Sequence, residues 1–360
     1  MCSPLQSVAS IALAALIASG AAGAQPTVQR HDFFIPSDPG VRLFVREVTA
    51  NRASSHLTIL LIHGARIPGI ASFDLPVPGG SLAADLATRG LDVYVLDVRG
   101  YGRSSRPAEM DAPPSAHPPL VRSNEAVRDI SAAVDWISHR EHVTAVALFG
   151  WAAGAQWAGY YASLYPEKVS ALILLNALYR GDAAQPLVGH GSDLEDHAHA
   201  GRYSEGGCGA YRWNTADSLT RGWERNIPIA DKDRWRDPAV AQALVQQSLA
   251  SDPESTSQHL AAFRSPCGAL EDSFYLATGH ELWDATLITA PTLILVSERD
   301  FWSRPIDREN LVGDLVHAKR MKLVILANAT HFVSLDRPER GRTQLIEETT
   351  AFVKAGGNIH

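Results

Sequence analysis

The sequence predicts an α/β protein: a doubly wound, mostly parallel sheet carrying an inserted, mainly helical cap. Three observations predict it. Short, continuous apolar runs recur along the chain, as in strands buried on both faces. Helical stretches alternate with those runs, the signature of parallel βαβ connections. One long stretch, residues 180–283, breaks the alternation and is too long for a plain loop.

The elements follow in order. Val8 to Ala18 is an apolar run, followed by Ala22-Gly23-Ala24, an A-x-A cleavage signature. The run is shorter than the roughly 20 apolar residues of a bilayer span. Residues 1–24 therefore read as a removable signal peptide, although Met1 to Ser7 lacks the usual Lys or Arg. Cys2 precedes the run, which argues against a lipid anchor. The expected location is the periplasm or the medium. Phe33 to Val48 alternates polar and apolar residues around Ser37-Asp38-Pro39-Gly40, a hairpin pattern. Strands are then expected at Leu57–Ile62, Leu91–Leu96, Val143–Phe149, Val169–Leu175, Thr292–Val296 and Lys322–Leu326. Helices are expected at Ser81–Arg89, Asn124–His139, Ala153–Tyr165, Arg304–His317 and Arg337–Val353. This gives a core of residues 25–179 and 284–360, with 180–283 as the cap. In such sheets ligands bind beyond the carboxyl ends of the strands.

The 360 residues are 46% hydrophobic and 20% charged, ordinary for a globular chain. A net charge of −7 weighs against a nucleic-acid partner. No membrane partner is expected, and the oligomeric state is not legible. Gly-x-Gly-x-x-Gly is absent from the first strand–helix turn, so no cofactor is expected. The expected partner is a small-molecule substrate. Beyond the leader, Cys208 and Cys267 remain, both in the cap. In an oxidising compartment they are expected to form a disulfide; two unpaired thiols are the alternative. His190, His197 and His199 lie among Asp193, Glu195 and Asp196, but without clean ligand spacing, so a solvated loop is preferred to a metal site.

The chemistry centres on Gly150-Trp151-Ala152-Ala153-Gly154, after an apolar strand and before a helix. That is the setting of the nucleophile elbow G-x-S-x-G, with Ala152 in place of the serine. Taken alone, small residues here also suit close strand–helix packing. Other stations add weight: His63-Gly64 after the third strand, Asp97 to Ser104 after the fourth, Asp300 after the seventh and His331 after the eighth. The order of nucleophile position, acid and His resembles the α/β-hydrolase fold superfamily, in its capped ester- and C–C-bond-hydrolase branch, from Phe33 to the C-terminus.

The resemblance implies roles. His331 is the general base and Asp300 its orienting partner. Glu298 is the weaker substitute, and Asn176, at a place some relatives use for the acid, cannot be a carboxylate. The N–H groups of Ala65 and Ala153 form the oxyanion hole. Trp151 and Trp302 are candidate pocket walls or core residues. Arg66 is either a contact for a substrate carboxylate or a solvated loop residue. Ser104 and Ser105 lie off the elbow and do not replace the missing nucleophile. The expected activity is hydrolysis of an ester or lactone, with Ala152 an engineered or a natural replacement of serine; a chain that keeps its leader favours a natural one. Two alternatives stay open: a cofactor-free His-base enzyme (C–C hydrolase, lyase or isomerase), and a binding protein that has lost the chemistry.

Overall fold

The computed structural model describes residues 27–50, 57–204 and 206–356. The leader reading therefore lies outside the described residues. Val28–Pro36 (β1) and Arg42–Ala50 (β2) form the expected antiparallel hairpin. The other strands of the main sheet are Thr58–Ile62 (β3), Asp92–Asp97 (β4), Val146–Trp151 (β5), Val169–Leu175 (β6), Thr292–Arg299 (β9) and Met321–Thr330 (β10). Their order is β1-β2-β4-β3-β5-β6-β9-β10. β2 pairs antiparallel with β4, and the neighbours in the run β4-β3-β5-β6-β9-β10 pair in parallel.

The central strands are buried at nearly every position because both faces are covered. Leu60 and Ile62 point into one core, with Val134 and Ile137 of helix α3 (Ser123–Glu141) and Trp157 and Tyr161 of α4 (Ala153–Leu164). Ile59 and Leu61 point into the other. There they meet Ala71 and Phe73 of α1 (Gly69–Phe73), Leu82 and Leu86 of α2 (Leu82–Thr88), and Leu345 and Phe352 of α9 (Thr343–Gly356). The period-2 geometry of a strand divides one apolar run between two cores.

One expected element is broken. The helix expected at Arg337–Val353 is a wide turn at Pro338–Arg342 followed by α9. Gly341 there takes φ 85°, and a Cβ on it would lie 2.7 Å from Ala329 Cβ, so close packing under β10 interrupts the helix. α8 is also shorter than expected, at Pro305–Asp314.

Between β6 and β9 the chain leaves the sheet. It forms an antiparallel pair, Tyr211–Thr215 (β7) with Ala262–Pro266 (β8), and helices Ala216–Glu224 (α5), Pro238–Ala250 (α6) and Gly268–Ala277 (α7). The strand pair did not stand out in the sequence because Tyr211–Thr215 and Ala262–Pro266 carry Arg, Asn, Thr, Ser and Pro in place of a continuous apolar run. Cys208 and Cys267 are disulfide-bonded, with Cα atoms 6.1 Å apart, tying the entry of β7 to the exit of β8.

Candidate active site

The turn from β5 into α4 places Ala152 at φ 53° and ψ −114°, a backbone conformation that side-chain-bearing residues rarely hold. The Ala152 N–H donates to the Leu175 carbonyl at 2.8 Å, which pins the turn to β6. The flanking glycines are sterically required. A Cβ on Gly150 would lie 2.3 Å from the Gly154 carbonyl oxygen, and one on Gly154 would lie 2.3 Å from that of Ile62.

The loop after β3 lies against this turn. A Cβ on Gly64 would be 3.6 Å from Ala152 Cβ. Fully buried His63 sets the orientation of the loop. Its Nδ1 donates to the Gly64 carbonyl at 2.8 Å, and its Nε2 accepts from the Val98 N–H at 3.2 Å. Burial pushes the imidazole below its ordinary pKa, which keeps this neutral tautomer. Because the Gly64–Ala65 peptide is trans, fixing its carbonyl toward His63 turns the Ala65 N–H the other way. Among the described residues the N–H groups of Ala65 and Ala153 have no protein acceptor.

The loops after β9 and β10 supply the charged pair. His331 Nδ1 lies 2.6 Å from Asp300 Oδ1. The other carboxylate oxygen of Asp300 accepts from the Ser303 N–H at 2.8 Å and the Ser303 hydroxyl at 2.7 Å. An ionised Asp300 accepts, so Nδ1 carries the proton and Nε2 is the free, basic nitrogen. Rings hold the imidazole: Phe301 at 4.7 Å, Trp151 at 5.2 Å, Phe332 at 5.6 Å and Trp302 at 6.2 Å between centroids. Trp151 Nε1 also donates to the His331 carbonyl at 3.0 Å. Trp223 of α5 stacks on Phe332, and its Nε1 donates to Asp336.

These residues share one cavity of about 630 Å³, whose wall includes Ala65, Arg66, Trp151, Ala152, Ala153, Trp302 and His331. All the candidate residues except Asp300 therefore reach the cavity, and Asp300 stands behind His331. A family model described as alpha/beta hydrolase fold matches residues 58–338. The chain belongs to the α/β-hydrolase fold family. No curated protein matches the sequence. Solved structures similar to it include an esterase from Thermogutta terrifontis, 19% identical, with 90% of this chain and 99% of that one covered and a TM-score of 0.53. An esterase from Exiguobacterium antarcticum is 16% identical, over 89% and 98% of the two chains, with a TM-score of 0.54. A thioesterase domain from the curacin biosynthetic pathway is 16% identical, over 91% and 99%, also with a TM-score of 0.54. At such identities the likeness is one of fold.

Within this member of the family, the remaining motif residues are structural. Asp97 accepts from the N–H groups of Gly69 and Arg103, and the Ser104 hydroxyl donates to the Asp97 carbonyl. Ser105 accepts from the Arg42 N–H. Asn176 bridges β6 to Ser297 of β9 through both its amide atoms. Glu298 accepts from the Asn328 N–H and does not meet His331. Between β6 and β9, His190 pairs with Glu195 and His199 with Asp196. Sequence reasoning passed over Ser303, Phe301 and Phe332, and two cavity arginines, Arg212 and Arg225. For Ser303 a signal existed: Asp-x-x-Ser is the spacing of a side-chain-capped turn.

Proposed function

We propose that the chain is an exported hydrolase of a small carbonyl compound, an ester or lactone, with His331 as general base, Asp300 as its orienter and Ala152 at the nucleophile position. The observation that carries this reading is the 2.6 Å His331–Asp300 contact, on the wall of the cavity that also contains the strained turn. A methyl group cannot attack an acyl carbon, so no covalent acyl-enzyme forms. His331 Nε2 instead takes a proton from a water beside Ala152 Cβ, and the water oxygen bonds to the acyl carbon. The developing oxyanion accepts from the Ala65 and Ala153 N–H groups, donors that do not depend on a serine side chain. As the carbonyl re-forms, the bond between the acyl carbon and the ester oxygen breaks, and His331 returns its proton to the departing alkoxide oxygen.

Export is supported by the leader sequence and by the Cys208–Cys267 disulfide, which suits an oxidising compartment. Among the described residues no helix is long and apolar enough to cross a membrane.

The test is a panel of small esters and lactones run on the native chain, on Ala152→Ser and on His331→Ala. Turnover by the native chain that disappears in His331→Ala supports the water mechanism. Turnover confined to Ala152→Ser, with labelling by a fluorophosphonate, assigns serine chemistry to the scaffold and an inactivated site to this chain. Binding without turnover in every form overturns the hydrolase reading in favour of a carrier.

A further inference from the structure

The site described so far handles the reacting carbonyl; the rest of the cavity wall shows what else the ligand carries. Three arginines line it: Arg66 from the loop after β3, Arg212 from β7 and Arg225 just after α5. Among the described residues, the buried arginines away from the cavity are paired with carboxylates: Arg99 with Asp129, Arg264 with Asp252 and Arg342 with Asp85. The cavity arginines have no such partner among the described residues. Arg66 donates to two neutral side chains, from Nε to Asn214 at 2.8 Å and from a terminal nitrogen to Ser218 at 2.6 Å. Arg212 makes one long contact, 3.5 Å to the Ala65 carbonyl, and its Nε is buried without a hydrogen-bond partner. Arg225 is exposed and lies 5.2 Å over the ring of Phe301, the ring that packs on His331. The wall has one carboxylate, Asp193, itself solvent-exposed.

Clustering cations without counter-ions costs free energy through desolvation and mutual repulsion. The chain has 39 Asp and Glu residues, so carboxylates were not scarce. We propose that the ligand supplies the missing charge: the substrate is a carboxylate-bearing ester or lactone, its acid group held by Arg66, Arg212 and Arg225 while its carbonyl faces His331. This rests on the hydrolase reading and adds the substrate class to it. Arg66 is built for the task. Its bonds to Asn214 and Ser218 fix the guanidinium plane and leave one terminal nitrogen free, and Asn214 is itself anchored to Ser265 at 2.9 Å. A fixed fork binds a planar carboxylate at little further entropic cost. Burial and the charges of Arg212 and Arg225 pull the Arg66 guanidinium down to about 9, still protonated at neutral pH, and an arriving anion relieves both effects. Arg212 touches the Ala65 carbonyl, so the anion site adjoins the oxyanion loop and a short linker between the two groups suffices.

The experiment compares monomethyl and dimethyl esters of the linear dicarboxylic acids from four to eight carbons. Binding is measured by titration calorimetry on the native chain and on His331→Ala, where no turnover intervenes. At least one monoester is expected to bind tenfold or more tightly than its diester. Arg66→Gln, Arg212→Gln and Arg225→Gln are each expected to weaken that monoester by about tenfold or more and leave the diester unchanged. Arg225 is exposed, so Arg225→Gln is expected to melt at the native temperature, which separates lost binding from lost folding. If no monoester binds more tightly than its diester, or if the correctly folded Arg225→Gln and Arg212→Gln chains keep the preference, the proposal is overturned. Failure of ester hydrolysis alone leaves the binding difference intact, so the two readings fail separately.

Discussion

Ala152 keeps a backbone conformation that costs on the order of 1–3 kcal/mol, although it has no hydroxyl for the turn to present. The strain is maintained by neighbours with no room to move. Gly154→Ala would place a methyl against the carbonyl oxygens of Ile62 and His63, both backbone atoms. It is expected to destabilise the protein by about 3 kcal/mol or more, read as a lowered midpoint in chemical denaturation. At the chemical end, His331→Ala is expected to reduce turnover by at least about a hundredfold with ligand binding preserved. Asp300→Asn keeps the shape but no longer favours the Nδ1–H tautomer, and is expected to lower kcat by about 10²–10⁴-fold. An unchanged kcat in Asp300→Asn would remove the orienting role. These residues were legible because each sits at a strand end in a fixed order. Ser303 and Arg212 were not, because a serine in a turn and an arginine in a five-residue strand carry no local mark of what they face.

The segment joining β10 to the turn before α9 shows how an element positions a single side chain. Asp336 accepts from the Thr330 N–H and hydroxyl and from Trp223 Nε1, each at 2.8 Å, so it clamps the residue before His331 to the stretch between β6 and β9. Burial outweighs these donors and pushes its carboxyl up to about 6. In the unfolded chain the group ionises near 4, so between about pH 4 and pH 6 the folded state holds the extra proton. Stability therefore falls as pH rises through that window, and above it the loss from this group is complete and constant. The drop is expected to be at most about 3 kcal/mol and to flatten in Asp336→Asn, as measured by denaturation midpoints across pH 4–7. The disulfide acts on the same stretch. It spans 59 residues, and Cys208→Ser with Cys267→Ser is expected to cost about 2–4 kcal/mol. An unchanged midpoint under reductant would show that the bond contributes nothing to stability.

For the whole molecule, the leader reading makes a direct prediction. Export with cleavage after Ala24 yields a mature chain beginning at Gln25, which N-terminal sequencing of the periplasmic or secreted protein would detect. An uncleaved chain recovered from the cytoplasm would remove both the export and the compartment argument. The sequence by itself determined the doubly covered parallel sheet, because a strand buried on both faces needs a continuous apolar run such as residues 59–62. It also determined the elbow, because only small residues survive the close approach of β5, α4 and β3. Local pattern reports burial and backbone conformation, and those suffice for such features. The sequence pointed to Asp300 as the acid, and tertiary structure supplied the contact: the packing of β9 against β10 brings Asp300 to His331 and leaves Glu298 on the Asn328 N–H. Tertiary structure alone gathered the arginines, since Arg66 meets its partners on β7 and α5 across 148 and 152 residues of sequence. Charge carries no period along the chain, and an unpaired cation becomes visible only when every neighbour that might have neutralised it has taken its place.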